Sequence, residues 1–132
     1  DVLGSFTGAT APLSSIGTFR PLAARRVVDT RRGLGFARLA ANGVGSVNPS
    51  VVPNTALGVV QNIVVVRPAG RGVVTAYPAG AAVPAVTNAV VTRANQTRST
   101  NAITRPGGGA ERFRTTVATD LVVDVSGWFV GA

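Results

Sequence analysis

No window of this chain places apolar residues at i, i+3, i+4 and i+7 over three turns, which is the spacing a packed helix requires. Strand formers arrive instead in short bursts. Val dominates and Thr is common, while 16 Gly and 8 Pro interrupt them at close intervals. The pattern predicts strands near Val2–Phe6, Arg26–Asp29, Gly58–Val66, Gly72–Tyr77, Ala85–Thr92, Ala102–Thr104, Glu111–Thr116 and Leu121–Phe129, with one helical turn at most over Leu34–Ala41. Turn signals separate them at Arg67-Pro68-Ala69-Gly70, Pro78-Ala79-Gly80 and Arg105-Pro106-Gly107-Gly108-Gly109. Many short strands with a turn every 8–12 residues or so predict an all-β, antiparallel β-sandwich, jelly-roll-like, of about eight to ten strands. Gly58–Val66 and Gly72–Tyr77 are expected to form a hairpin. The continuous apolar stretch Ile63–Val66 suggests a central strand covered on both faces. Ala40–Asn54 reads as a long Gly/Asn/Ser/Pro loop.

The 132 residues suffice for one domain with a real core. All 13 basic residues are Arg, and the five acids are Asp1, Asp29, Glu111, Asp120 and Asp124. There is no His, Cys, Met or Lys. These zeros exclude Ser-His-Asp and Cys-His nucleophiles, ordinary zinc, haem and iron–sulfur sites, Schiff-base lysines, disulfides and Lys–Asn cross-links. Five scattered acids make a weak calcium site. No enzyme activity, cofactor or metal is therefore expected.

A net charge of +8 invites an anionic partner. Nucleic acid is disfavoured, because aromatic residues are only 5% of the chain, too few for the stacking platforms that single-strand binders use. The apolar runs are of strand length, so no membrane span is expected. The chain starts at Asp1 without a signal-peptide pattern, so it reads as a mature fragment or a piece of a longer protein with any export signal upstream.

One internal echo stands out. Asp1-Val2-Leu3-Gly4-Ser5-Phe6-Thr7-Gly8-Ala9 and Asp124-Val125-Ser126-Gly127-Trp128-Phe129-Val130-Gly131-Ala132 agree at six of nine positions, at a constant offset of 123. Period-2 geometry would put Val2, Gly4 and Phe6 on one strand face, and likewise Val125, Gly127 and Phe129, with Trp128 opposite. Either the domain holds two equivalent strands, or the chain spans one period of a tandem array. Nothing between the echoes repeats, which favours the array: 1–19 as lead strand and linker continuing from a preceding repeat, 20–132 as a single β-sandwich domain.

Several segments resemble a repeat domain of secreted and cell-wall-associated proteins of high-GC Gram-positive bacteria. Arg26-Val27-Val28-Asp29-Thr30-Arg31, followed by Gly33, is similar to its "R-[LV]-[LV]-D-T-R-x-G" opening. Asn62–Pro68 resembles "N-V-T-V-T-x-P", Gly72–Pro78 resembles "G-[FY]-[LV]-T-V-[YF]-P", and Pro84–Asn88 resembles "P-x-x-S-x-[LV]-N". Gln96-Thr97 with Asn101-Ala102 resembles "G-Q-T-x-x-N-x-[VL]", and Val122–Phe129 resembles "[VI]-x-D-V-x-G-[YW]-F". Order and spacing hold over roughly residues 20–130. Departures are Asn95 for Gly, Val for Thr in the central strand, and Ser5 for the aromatic. The resemblance implies an exported β-domain, joined to hydrolases or repeated in tandem, with no catalytic activity of its own.

The expected function is a non-catalytic, secreted or cell-wall-associated structural or adhesive domain, one unit of a tandem or polymerising surface assembly. Its partners would be neighbouring copies, joined through Val2, Gly4, Phe6, Val125, Gly127 and Phe129. The Val2–Phe6 strand would pair with an edge of this domain or reach back to the preceding one. The alternative is a carbohydrate- or cell-wall-polysaccharide-binding module using Arg25, Arg26, Arg31, Arg32, Tyr77 and Trp128. Asp29 and Arg31 are expected to form a structural ion pair. Asp120 and Asp124 would share a strand face about 13 Å apart. That is wider than the roughly 5–9.5 Å of glycosidase carboxylates, so both read as structural. Asn95-Gln96-Thr97 reads as turn chemistry and Gly107–Gly109 as a loop.

Overall fold

The computed structural model describes Val2 and residues 4–132. The described residues form β1 (Phe19–Asp29), a 3-10 turn (Thr30–Arg32), β2 (Val44–Val47), β3 (Gly58–Val66), β4 (Gly72–Pro78), β5 (Ala89–Val91), β6 (Arg98–Thr104), β7 (Glu111–Thr115) and β8 (Asp120–Phe129). Two four-stranded sheets result, ordered β1-β8-β3-β6 and β2-β7-β4-β5. The antiparallel pairs β1·β8, β2·β7, β3·β6 and β4·β5 nest as if one long hairpin had folded over itself. This is a jelly roll, the predicted class.

The core lies between the sheets. On β3, Val59, Gln61, Ile63 and Val65 are buried, while Val60, Asn62 and Val64 between them are half-buried. The strand is central but fully covered on one face only, which corrects the reading of Ile63–Val66. Ile63 and Val65 meet Val74, Phe113, Leu121 and Val123 in the main cluster, and Phe36 adds a ring 6.0 Å from that of Phe113. Truncating a ring as buried as Phe113 costs about 3–5 kcal/mol.

Four sequence expectations change. Gly58–Val66 and Gly72–Tyr77 are not a hairpin: β3 pairs with β6 and β8, while β4 pairs with β5 and β7. Turn residues mark a reversal but not whether the chain stays in its sheet, and the 67–71 connection crosses between sheets. The Ala40–Asn54 loop contains β2, whose inward Gly45 leaves room for the Phe36 ring and so hides the alternation. Ala85–Thr92 shrinks to β5. Its first part is tied to β4 largely through side chains, with Thr75 Oγ1 donating to the Val86 carbonyl (2.8 Å) and the Ala76 amide to Asn88 Oδ1 (2.7 Å). The helical turn falls at Thr30–Arg32 rather than in Leu34–Ala41, because Asp29 caps it and Gly33 closes it at φ 69°.

The registers sort the connections into two ends. The 30–43, 67–71, 92–97 and 116–119 segments lie at one end. The 48–57, 79–88 and 105–110 segments lie at the other, together with both chain ends.

Candidate functional site

At the end holding the chain termini, β8 carries a bulge. Gln61 faces Val125 but Val60 faces Gly127, so Ser126 is extra. One inserted residue reverses the side-chain alternation beyond it. Val125 and Trp128 therefore share the inward side, where both pack in a cluster with Val59. Gly127 and Phe129 lie on the outer side. This corrects the expectation that Val125, Gly127 and Phe129 share a face with Trp128 opposite. The small Ser126-Gly127 pair was the only signal in the sequence for the bulge.

The outer side is aromatic. A Cβ on Gly127 would lie 2.5 Å from the Phe19 ring, so glycine there makes room for that ring. Phe129 has its ring centroid 5.4 Å from Phe19 and 6.0 Å from Phe6. Phe6, Leu57, Ile103 and Phe129 help line an apolar groove of about 290 Å3. Mutual bonds from Gly17 N to Val130 O (2.7 Å) and from Val130 N to Thr18 O (2.9 Å) carry the β1·β8 ladder outward. Val2 and Gly4–Phe6 form no strand, contrary to expectation; Val2 is 94% and Phe6 84% exposed. Asp1 and Leu3 lie outside the described residues.

At the opposite end, carboxylates and arginines interlock. Asp29 receives two bonds from the Arg31 guanidinium, Nε at 2.8 Å and Nη2 at 2.7 Å, and Arg26 approaches to 3.5 Å. The Arg31 bonds hold its carboxyl down, at a pKa of about 2, against burial that would raise it. Arg26 also forks onto Asp124, at 2.9 and 3.1 Å, tying edge strand β1 to β8. Asp120 is buried at the start of β8 and accepts from Thr30 Oγ1 (2.8 Å), Arg67 Nη2 (2.8 Å) and Arg38 Nη1. Burial pushes its pKa up, but the bonds from Thr30, Arg67 and Arg38 outweigh this and leave it below the ordinary carboxylate range. Thr30 Oγ1 also accepts from the Leu121 amide (3.0 Å), and Arg38 Nη2 donates to the Arg67 carbonyl (3.0 Å).

The residues expected to contact a ligand do not converge. Tyr77 is 3% exposed and sits on the side of β4 lapped by the 79–88 connection, so it offers no stacking face. Trp128 is turned inward by the bulge. Arg26 and Arg31 are committed to carboxylates, while Arg25 and Arg32 are exposed without a carboxylate partner among the described residues. Sequence reading missed Arg38 and Arg67. Their only common feature is Asp120, which is 82 and 53 residues away from them, so no local spacing could reveal the grouping.

The remaining described acid, Glu111, lies in the interior. It accepts from Gln61 Nε2 at 3.3 Å, and Gln61 Nε2 also bonds Thr104 Oγ1 at 3.1 Å. Burial raises the Glu111 pKa to about 8, with the Gln61 bond opposing weakly. Gln61 Oε1 and Glu111 Oε2 have no hydrogen-bond partner among the described residues. A protonated acid needs less solvation than a carboxylate there.

Among the described residues no group of three or more His, Cys, Asp or Glu side chains converges on a metal position, and no helix is long and apolar enough to cross a membrane. No protein-family model matches the chain, and no curated protein matches it.

Proposed function

We propose that the chain is one unit of a tandem, non-catalytic structural array at a cell surface, and that Asp1–Ala9 is the end of the preceding unit's last strand. The observation that carries this reading is the echo placed on the fold. Three of the six echoed residues have equivalents at the end of β8: Val2 that of Val125, Gly4 that of Gly127, Phe6 that of Phe129. Val125 is 0% exposed, packed against Val52, Ala56 and Val59, whereas Val2 is 94% exposed. A strand-forming, apolar segment left in solvent here has a ready place on a neighbouring β3. In that place Phe6 would sit on the outer side of the preceding sandwich, and its contact with Phe129 becomes a contact between units.

Both chain ends leave from the same end of the sandwich, since Phe19 pairs with Phe129. Successive units then hang from a common thread, with their opposite ends pointing away from it. The test is a chain in which residues 10–123 are placed ahead of the full sequence, so that Asp1 follows Val123. Two cooperatively folded units are expected by calorimetry and urea unfolding. A leading unit that stays unfolded contradicts the reading.

A further inference from the structure

Between the 67–71 and 92–97 connections, held together by the Asn95 amide bonding the Pro68 carbonyl (2.8 Å), lies an open cleft of about 420 Å3. Arg38, Arg67, Ala69, Ala94 and Asn95 line it. We infer that this cleft binds anionic groups, phosphate or carboxylate, repeated along a polymer other than nucleic acid. The inference does not rest on the tandem reading.

Three observations carry it. The first is charge. Two guanidinium groups share the single carboxylate of Asp120, so the cleft wall keeps a net positive charge. Only four arginines pair with acids among the described residues, which leaves nine of the 13 without a carboxylate partner. The connections at this end hold Arg31, Arg32, Arg38, Arg67, Arg71 and Arg93; those at the opposite end hold only Arg105. The second is preorganisation. Arg38 is fixed by Asp120 and the Arg67 carbonyl, and Arg67 by Asp120. A guanidinium already held in place loses less freedom when it captures an anion. The third is backbone conformation. Arg67 (φ 49°) and Asn95 (φ 57°) are two of the three left-handed non-glycine residues among the described residues, and both line this cleft. That conformation is unfavourable for an arginine and more so before a proline. It persists where the surroundings demand it, and such sites gather at ligand clamps.

The ligand class follows from what is missing beside the arginines. Phe36 is the one aromatic in these connections, and it packs on Phe113 in the core. Nothing here can stack on a base or a sugar ring, so recognition would run through the anions.

The test is titration of the full chain with poly(glycerol phosphate), polygalacturonate and a double-stranded DNA fragment. Binding to one of the first two is expected, about tenfold weaker or more between low and high salt, and the tighter of the two names phosphate or carboxylate as the preferred group. Ala94→Glu and Ala69→Glu change the cleft wall without touching Asp120. Each should weaken binding about tenfold with the urea midpoint unchanged, while Arg105→Gln at the opposite end should not. Arg67→Lys keeps the charge but loses the fork, and should weaken binding by a smaller factor. Failure to bind either polymer, tightest binding to DNA, or affinity indifferent to Ala94→Glu and Ala69→Glu would overturn the inference.

Discussion

The two ends of this sandwich are finished by different physics. Where the chain enters and leaves, three phenylalanine rings gather over a glycine. At the far end, arginines close over Asp29 and Asp120. The apolar end is a matter of shape and should ignore pH and salt. The basic end is a matter of charge and should respond to both. An apolar end suits contact between copies of one chain, because identical rings can meet. A basic end repels its own kind and suits an anionic partner.

The largest expected effect separates them by charge. Asp120→Ala should cost about 2–4 kcal/mol in urea unfolding, since Thr30, Arg38 and Arg67 all lose their acceptor; the cost stays moderate because both arginines reach water and can rehydrate. A loss below about 0.5 kcal/mol would mean that the interlocked end is not structural.

The next comparison is a pH profile. The folded chain keeps the Glu111 proton up to about pH 8, whereas an unfolded Glu releases it near 4.5, so stability should fall as pH rises between those values. On the acid side Asp29 titrates at about 2 when folded and near 3.8 when unfolded, so its stabilisation is lost as pH falls through that window, with Asp120 acting in the same direction. Maximum stability is expected at about pH 4–5. Glu111→Gln should flatten the alkaline limb and leave the acid limb alone. An unchanged alkaline limb in that variant would remove Glu111 as its cause.

Shape at the apolar end comes next. Gly127→Ala drives a methyl to within 2.5 Å of the Phe19 ring and 2.7 Å of the Arg20 carbonyl, and should cost about 1–3 kcal/mol at every pH and salt concentration. The smallest effect is Val2→Ala or Phe6→Ala in the single chain, within about 0.5 kcal/mol, because both side chains are largely in solvent.

The sequence made the sheets legible and the site only partly so. Five of the eight strands, β3, β4, β6, β7 and β8, were placed to within four residues at each end because Val and Thr runs sit between Gly and Pro, while only the last four residues of the eleven in β1 were read as strand. β2 was hidden by an inward glycine, and β5 was overextended by residues that bond through side chains. Asp29 with Arg31 was readable because the two stand two positions apart. The grouping of Arg38 and Arg67 on Asp120 was not, since it exists only after β8 has come between β1 and β3. The inward turn of Trp128 depends on a single extra residue that leaves no hydrophobic mark.

The most direct test of the tandem account is Val2→Ala in the two-unit chain, with residues 10–123 ahead of the full sequence. The account predicts that the leading unit alone loses about 1.5–3 kcal/mol, as for a buried valine and as Val125→Ala should cost the single chain, although Val2→Ala costs the single chain almost nothing. A leading unit indifferent to Val2 would contradict it.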